Sequence, residues 1–292
     1  MTTVADLVED TKRHLYGTSR LALNVLDTTI GELPTSVTLT YDVQGIQQGS
    51  IISIDDEIMY VFNVDSTTKT ATVHRGFMGT VPAAHLGGAL VEVNPRFPRQ
   101  FIKEALKQEI NSYAPRLFRV TAHNVPASGI TTSFDMPVSD YLHVVDIYGE
   151  RSGYTGRSRL LHYNDIRDAD PVDFPSGSSL HILEPVSSTT ILRVRVARTF
   201  DTSIFNDATE VEGTIGLEDY MIDIPPIGAA WRLLSSRETP RTNMAAQPEP
   251  RRAEEVPPGH ISTVANTLRD IRNHRISEAQ FMLRERYPYR NM

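Results

Sequence analysis

The stretch that decides the fold is residues 50–94, SIISIDDEIMYVFNVDSTTKTATVHRGFMGTVPAAHLGGALVEVN. Side chains along residues 58–63 alternate with the two-residue period of a β-strand. This strand runs into residues 65–69, DSTTK, a polar cluster typical of a turn, and residues 70–74 supply a return strand. The pattern predicts a β-hairpin within a small barrel or sheet.

The loop after the hairpin contains two glycines, Gly76 and Gly79, which indicate a backbone bend that a Cβ would obstruct. Phe77, Met78 and His85 lie in this part of the chain. We predict that these three side chains face outward and form an inter-subunit loop. A general-base role is the alternative for His85, but no nucleophile lies near it in the sequence. The loop therefore indicates assembly rather than chemistry.

Length and composition limit the class of protein. The 292 residues allow about two domains of roughly 150 residues each, and 40% of them are hydrophobic, which is enough for packed cores. The absence of cysteine excludes disulfides, thiolate metal sites and a cysteine nucleophile. Residues 1–17 lack the pattern of a secretory signal, and no apolar run approaches the ~18 residues of a membrane helix. We expect a protein that folds in solution.

Charge is distributed unevenly along the chain. Residues 231–292 contain 11 arginines, no lysine and 7 acidic residues, a net charge of +4. The whole chain has a net charge of −7, so residues 1–230 have a net charge of −11. One interpretation is a solvated surface followed by an ordinary helical tail. The other is that the basic tail docks on an acidic or carbonyl-rich partner.

The whole pattern predicts an α+β protein with two mainly antiparallel β domains, a small barrel or sheet and a β-sandwich. Apolar residues at helical spacing indicate the helices, and short strands about ten residues apart indicate the sandwich. The predicted parts are an N-terminal helix (1–20), a small β domain (21–96), a connecting helix (97–113), a β-sandwich domain (114–216), a helical segment (217–236), a Pro-rich extended arm (237–260) and a C-terminal helix and tail (261–292).

Two groups of acidic residues invite comparison with cation sites. Residues 55–57, DDE, are adjacent and would point in different directions along a strand. Asp165, Asp168, Asp170 and Asp173 share a loop, but this loop contains proline and lacks glycine at the bend that a calcium loop needs. We predict a turn and a solvated loop, with no metal and no other cofactor.

The C-terminal part carries the features of an interface. Residues 239–259 contain five prolines and no apolar periodicity, which predicts extended backbone, either a tether or a strap on a neighbouring subunit. The helix that follows, from about Ser262 to Arg286, would be ~35–40 Å long. Its apolar stripe, which includes Val264, Ile271 and Met282, is thin and flanked by arginines. Tyr287 and Tyr289 then supply residue types that anchor interfaces.

Three segments resemble one family of proteins. They are residues 75–85, RGFMGTVPAAH, residues 223–230, DIPPIGAA, and residues 249–259, EPRRAEEVPPG. Together they resemble the head-to-tail connector, or adaptor, proteins of long-tailed bacteriophages. The small members of that family are mostly helical, and this chain differs from them in its large β portion.

The resemblance implies a structural protein of the virion neck, between capsid and tail, made in the host cytoplasm. It implies a dodecameric homo-oligomeric ring beneath the portal protein, in contact with downstream neck or tail proteins, through which genomic DNA passes during ejection without specific binding. The tail would reach a groove on the portal. The residues expected at the portal or subunit interface are Arg251, Arg252, Arg284, Arg286, Tyr287, Tyr289 and Arg290.

Other functions fit the sequence less well. None of the common motifs for nucleophilic, phosphate-binding or metalloprotease sites is present, so we predict no enzyme activity. An acidic body argues against a nucleic-acid binder, because phosphate neutralisation supplies most of such affinity, but it suits a conduit that repels DNA. The main alternative is a tail-associated glycan-binding or glycan-cleaving β-sandwich protein. That class exposes several aromatic side chains, whereas we interpret the single tryptophan, Trp231, as a core anchor.

Overall fold

A computed structural model describes residues 1–17, 22–43, 45–127, 132–151, 159–188, 190–244 and 260–287. These residues form a mixed α+β structure with antiparallel sheets and a C-terminal helix, which confirms the predicted class. The chain divides into two compact units. The first comprises Met1–Glu109, Phe205–Glu210 and Asp223–Arg272, and the second comprises Ile110–Ile204, Val211–Ile222 and Asn273–Met292.

The first unit is built on one six-stranded sheet. Its strands are β1 (Ala22–Val25), β2 (Ser36–Thr38), β3 (Ile51–Ile54), β4 (Glu57–Asp65), β5 (Thr70–His74) and β6 (Leu90–Val93), in the order β1-β6-β3-β4-β5-β2. The two outer strands also meet, because the Asp27 N–H donates to the Thr38 carbonyl at 2.9 Å and the Thr40 N–H donates to the Val25 carbonyl at 2.8 Å. The sheet therefore closes on itself around a core that includes Leu26, Leu39, Ile52, Met59 and Val61.

The predicted hairpin and the bend after it are both present. Strands β4 and β5 pair antiparallel, and the Asp65 carboxylate accepts the Thr67 N–H at 2.8 Å in the turn between them. Gly76 has a φ of 64°, and a Cβ on it would lie 2.8 Å from the Thr80 carbonyl oxygen. Only glycine fits this position without displacement of the loop.

The described residues form four α-helices, α1 (Val4–Tyr16), α2 (Arg99–Asn111), α3 (Ile224–Met244) and α4 (His260–Arg286). A capping box begins α1: Thr3 Oγ1 accepts the Asp6 N–H at 3.4 Å, and Asp6 Oδ2 accepts the Thr3 N–H at 2.8 Å. Helix α1 buries Leu7 and Val8 completely and packs against α3. It is therefore part of the first unit. No helix of the described residues is long and apolar enough to cross a membrane.

The described residues of the second unit form two antiparallel sheets. Its strands are β7 (Arg119–Pro126), β8 (Ser133–Asp135), β9 (His143–Arg151), β10 (Arg159–Leu160), β11 (Tyr163–Arg167), β12 (Ser178–Ile182) and β13 (Thr190–Arg198). One sheet has the order β10-β9-β13-β7 and the other β11-β12-β8. Buried side chains of both sheets share one core, for example Val194 from β13 and Leu180 from β12.

Two predicted boundaries near the C-terminal end are wrong. The segment before Pro225 forms only a 3₁₀ turn, Asp219–Met221, and α3 begins at Ile224 with both prolines in its first turn, where no N–H partner is needed. Helix α3 then continues to Met244, so residues 237–244 of the predicted arm are helical. Arginine and glutamate at positions 237 and 238 are good helix formers, but the proline at position 240 disfavours a helix, so local propensity does not account for this continuation. Residues 245–259, with Arg251 and Arg252, lie outside the described residues.

Candidate functional site

A buried group of charged side chains lies at the base of the loop that follows β5. Glu57, at the start of β4, is 1% exposed. Arg75 Nε donates to Glu57 Oε1 at 2.7 Å and Arg75 Nη2 to Oε2 at 2.7 Å, the strong bidentate geometry of a guanidinium on a carboxylate. His85 Nε2 lies 2.9 Å from the same Oε2. We call Asp55, Glu57, Arg75 and His85 the Glu57 cluster.

The Glu57 cluster holds both ends of the loop. The Glu57 carboxylate accepts the backbone N–H groups of Gly76 and Ala83, each at 3.0 Å. Arg75 donates in addition to the carbonyls of Gly31 at 2.8 Å, Pro34 at 3.1 Å and Ala83 at 2.5 Å. Three separate segments of backbone are therefore fixed by one ion pair.

His85 is inside the unit and does not face outward, so that part of the inter-subunit prediction is wrong. Its side chain is 2% exposed, and its backbone exchanges two 2.9 Å hydrogen bonds with Ile30. These bonds draw the residue against the sheet. The Nδ1 atom lies 2.8 Å from Asp55 Oδ2 while Nε2 faces Glu57. Each ring nitrogen therefore already has a hydrogen-bond partner inside the Glu57 cluster, which disfavours a general-base role.

Burial alone would raise the pKa of Glu57, but the hydrogen bonds from Arg75, Ala83, His85 and Gly76 outweigh it and lower the pKa from 4.5 to about 2. Folding therefore favours the ionised carboxylate. Its contribution to stability is complete above pH 4.5 and is lost as the pH falls towards 2.

We expect acid to remove about 3 kcal/mol of stability through Glu57 alone. Urea unfolding measured between these two pH values by the fluorescence of Trp231, the only tryptophan and a residue of the first unit, reports this loss. In Glu57→Gln the unfolding free energy should be lower at neutral pH and should fall less steeply with acid. An unchanged slope in that variant would show that other carboxyl groups account for the acid sensitivity.

The loop that the Glu57 cluster holds is apolar and exposed. Met78 is exposed as the sequence predicts, and Val81 is 79% exposed. Leu33, which lies between Gly31 and Pro34 in the sequence, and Leu86, next to His85, are exposed as well. We call Leu33, Met78, Val81 and Leu86 the loop surface. Phe77 is partly buried, with its ring centroid 5.4 Å from that of Tyr60, and its place in a subunit contact stays a prediction.

The second half of α4 lies against its own unit. Ile276, Ala279 and Leu283 are buried, and the Arg286 guanidinium bonds Glu218 at 2.6 Å. Residues up to 287 therefore do not extend away from the second unit, contrary to expectation for a free tail.

The predicted interface residues of the tail differ in their exposure and in their contacts. Tyr287 is half-buried, and the Arg195 guanidinium carbon lies 5.4 Å from its ring centroid. Arg195 is also bound to Asp146, so this arginine of β13 is engaged within its own unit. Arg284 is exposed. Tyr289 and Arg290 lie outside the described residues.

A second exposed apolar surface lies beside α4. The groove there is lined by Tyr220, His274, Arg275, Ser277, Glu278, Ala279, Phe281 and Met282, and we call it the α4 groove. Phe281 and Met282 are largely exposed. Burial, and next the charge of Glu218, raises the pKa of Tyr220 to about 12, so its hydroxyl stays protonated. The Tyr220 oxygen is buried and has no hydrogen-bond partner among the described residues.

A second buried charged group lies in the first unit, where α2, α3 and the first half of α4 meet. Glu109 of α2 is fully buried, accepts Arg232 Nε of α3 at 2.6 Å and bonds Arg272 of α4. The guanidinium carbons of these arginines lie 5.6 Å and 5.4 Å from the ring centroid of Trp231. Trp231 is half-buried and packs against the two guanidinium groups. It is therefore not a simple core anchor.

Several of the acidic residues considered as cation ligands serve other contacts. Asp55 binds His85, Asp56 binds Lys103 at 2.5 Å, and Glu57 binds Arg75. Asp165 accepts the Tyr141 hydroxyl at 2.5 Å. Across the described residues, no group of three or more His, Asp or Glu side chains is placed to hold a metal ion.

Comparisons of the chain with protein-family models and with curated proteins find no match.

Proposed function

We propose that this chain is a structural protein of the phage virion neck, a head-to-tail connector ring that docks beneath the portal and forms part of the DNA channel. The observation that carries the proposal is the loop surface. Buried ionic bonds hold a loop whose exposed side chains are apolar, and such patches mark protein contacts. The same segment, residues 75–85, carries one of the three sequence resemblances.

The geometry favours a rigid contact over a catalytic one. The polar groups of the Glu57 cluster are directed at one another, and His85 has a carboxylate on each ring nitrogen. A catalytic site needs a reactive group that a substrate can reach. The loop instead offers a surface that loses little conformational freedom when a partner binds, which favours affinity.

Two further features support the proposal. The two β-rich units fit an architecture in which a small closed β domain and a β-sandwich each contribute to the wall of a ring. The net charge of −7 disfavours adhesion of DNA phosphates to such a wall. The glycan-binding alternative gains no specific support, since the Trp231 ring packs against two arginines.

Portal binding is tested with the exposed arginine of the tail. Purified chain should co-sediment with portal rings of the same virus, and Arg284→Glu should weaken that binding by about tenfold or more, the typical cost of losing an interface arginine. Arg269→Glu is the matched control, because it makes the same change on an exposed position of α4. If both variants bind the portal as tightly as the unaltered chain, the assignment of the tail to the portal is wrong.

A further inference from the structure

The loop surface and the α4 groove are two different apolar surfaces of one chain. Val81 and Met78 project from the first, and Phe281 and Met282 line the second. A closed ring of identical copies requires two unlike surfaces that fit each other, since a surface that pairs with itself stops at a dimer.

The loop surface can cover the α4 groove without leaving a charge unpaired. Residues 76–84 of the loop contain no charged side chain. In the groove, Arg275 bonds Glu278 at 2.5 Å and His274 lies 3.1 Å from the same carboxylate. Covering the groove with the loop would therefore bury no charge that lacks a partner, which avoids the main cost of an apolar contact beside ionic groups.

We propose that the loop surface of one copy seats in the α4 groove of the next copy, with Val81 and Met78 packed against Phe281 and Met282. The contact is heterologous, so it propagates around a ring. This inference rests on the proposed function in taking the chain to be a ring component, and it identifies the partner of the loop surface as a second copy.

Complementation between variants tests the contact. Val81→Asp disables the loop and Met282→Asp disables the groove, and both positions are exposed, so each variant should fold. In sedimentation velocity each variant alone should run as a monomer. A mixture of the two should form a heterodimer, because one intact loop and one intact groove remain. Val172→Asp, at a position 87% exposed in another loop, is the matched control and should assemble normally.

The absence of cysteine allows a second measurement. Oxidation of a mixture of Val81→Cys and Met282→Cys should yield a disulfide between the two different chains, and a chain with both substitutions should yield a covalent ladder of oligomers. If the unaltered chain assembles but both Asp variants assemble equally well and no mixed disulfide forms, the loop-in-groove contact is wrong while the ring stands. If the unaltered chain stays monomeric and no disulfide forms, both proposals are overturned.

Discussion

Arg75→Ala is expected to lower the unfolding free energy of the first unit by about 3–5 kcal/mol, the cost of leaving one member of a buried ion pair without its partner. Glu57 is 1% exposed and would lose both hydrogen bonds from the guanidinium. The carbonyls of Gly31, Pro34 and Ala83 would lose their common donor. Urea unfolding followed by Trp231 fluorescence measures the change.

Arg13→Ala is the control for this prediction. Arg13 also pairs with a carboxylate, Asp10 at 2.6 Å, but on the surface of α1, where such a pair contributes about 0–1 kcal/mol. Arg75→Lys keeps the charge and loses the bidentate geometry, so its unfolding free energy should lie between those of Arg75→Ala and the unaltered chain. If Arg75→Ala costs no more than Arg13→Ala, the Glu57 cluster does not hold the loop.

Gly228→Ala is expected to destabilise the first unit by about 3 kcal/mol or more, because it disturbs a buried ion pair. An alanine Cβ at this position of α3 would lie 2.3 Å from Glu109 Cδ and 2.3 Å from Glu109 Oε1. The Glu109 carboxylate would have to move away from Arg232 and Arg272. At an ordinary helical position the same substitution raises the unfolding free energy by up to about 1 kcal/mol. The sign of the change therefore distinguishes a clash with Glu109 from an ordinary helix effect.

A double-mutant cycle isolates the clash at Gly228. Glu109→Ala removes the obstructing carboxylate at its own cost, since two arginines lose a partner. In that background Gly228→Ala should cost much less than in the unaltered chain, a coupling typical of residues in direct contact. If Gly228→Ala lowers the unfolding free energy equally in the two backgrounds, the Glu109 side chain moves aside without a free-energy cost. The clash with Glu109 would then not be the cause of the destabilisation.

Local patterns were enough to predict the hairpin and its bend. The alternation over residues 58–63, the polar turn and Gly76 each act within a few residues, and the structure places a strand, a turn and a left-handed glycine there. Backbone sterics and side-chain periodicity are local, so they can be read directly from sequence. The α+β class followed from the same kind of signal.

The Glu57 cluster could not be predicted in the same way. Glu57 stands in the acidic triplet 55–57, which suggested a turn, and its partners lie 18 and 28 residues away. Nothing local specifies that Arg75 and His85 converge on it, because register and closure of the sheet bring them together. A glutamate that begins a strongly apolar strand is the one available signal, since a buried carboxylate requires a cationic partner.

The C-terminal part shows a similar limit. The stripe predicted on α4 includes Val264, Ile271 and Met282, but the structure exposes all three. Ile276, Ala279 and Leu283 are buried on their own unit instead, and Phe281 is exposed beside Met282. A single helix thus carries one face for folding and a second for the proposed contact.

The central claim is that copies of this chain close into a ring through two unlike apolar surfaces. Negative-stain electron microscopy of the purified full-length chain tests it most directly. We predict ring-shaped particles, which Val81→Asp disperses and Val172→Asp leaves intact. A field of single 32.7 kDa chains at every concentration at which the protein is folded would contradict the claim.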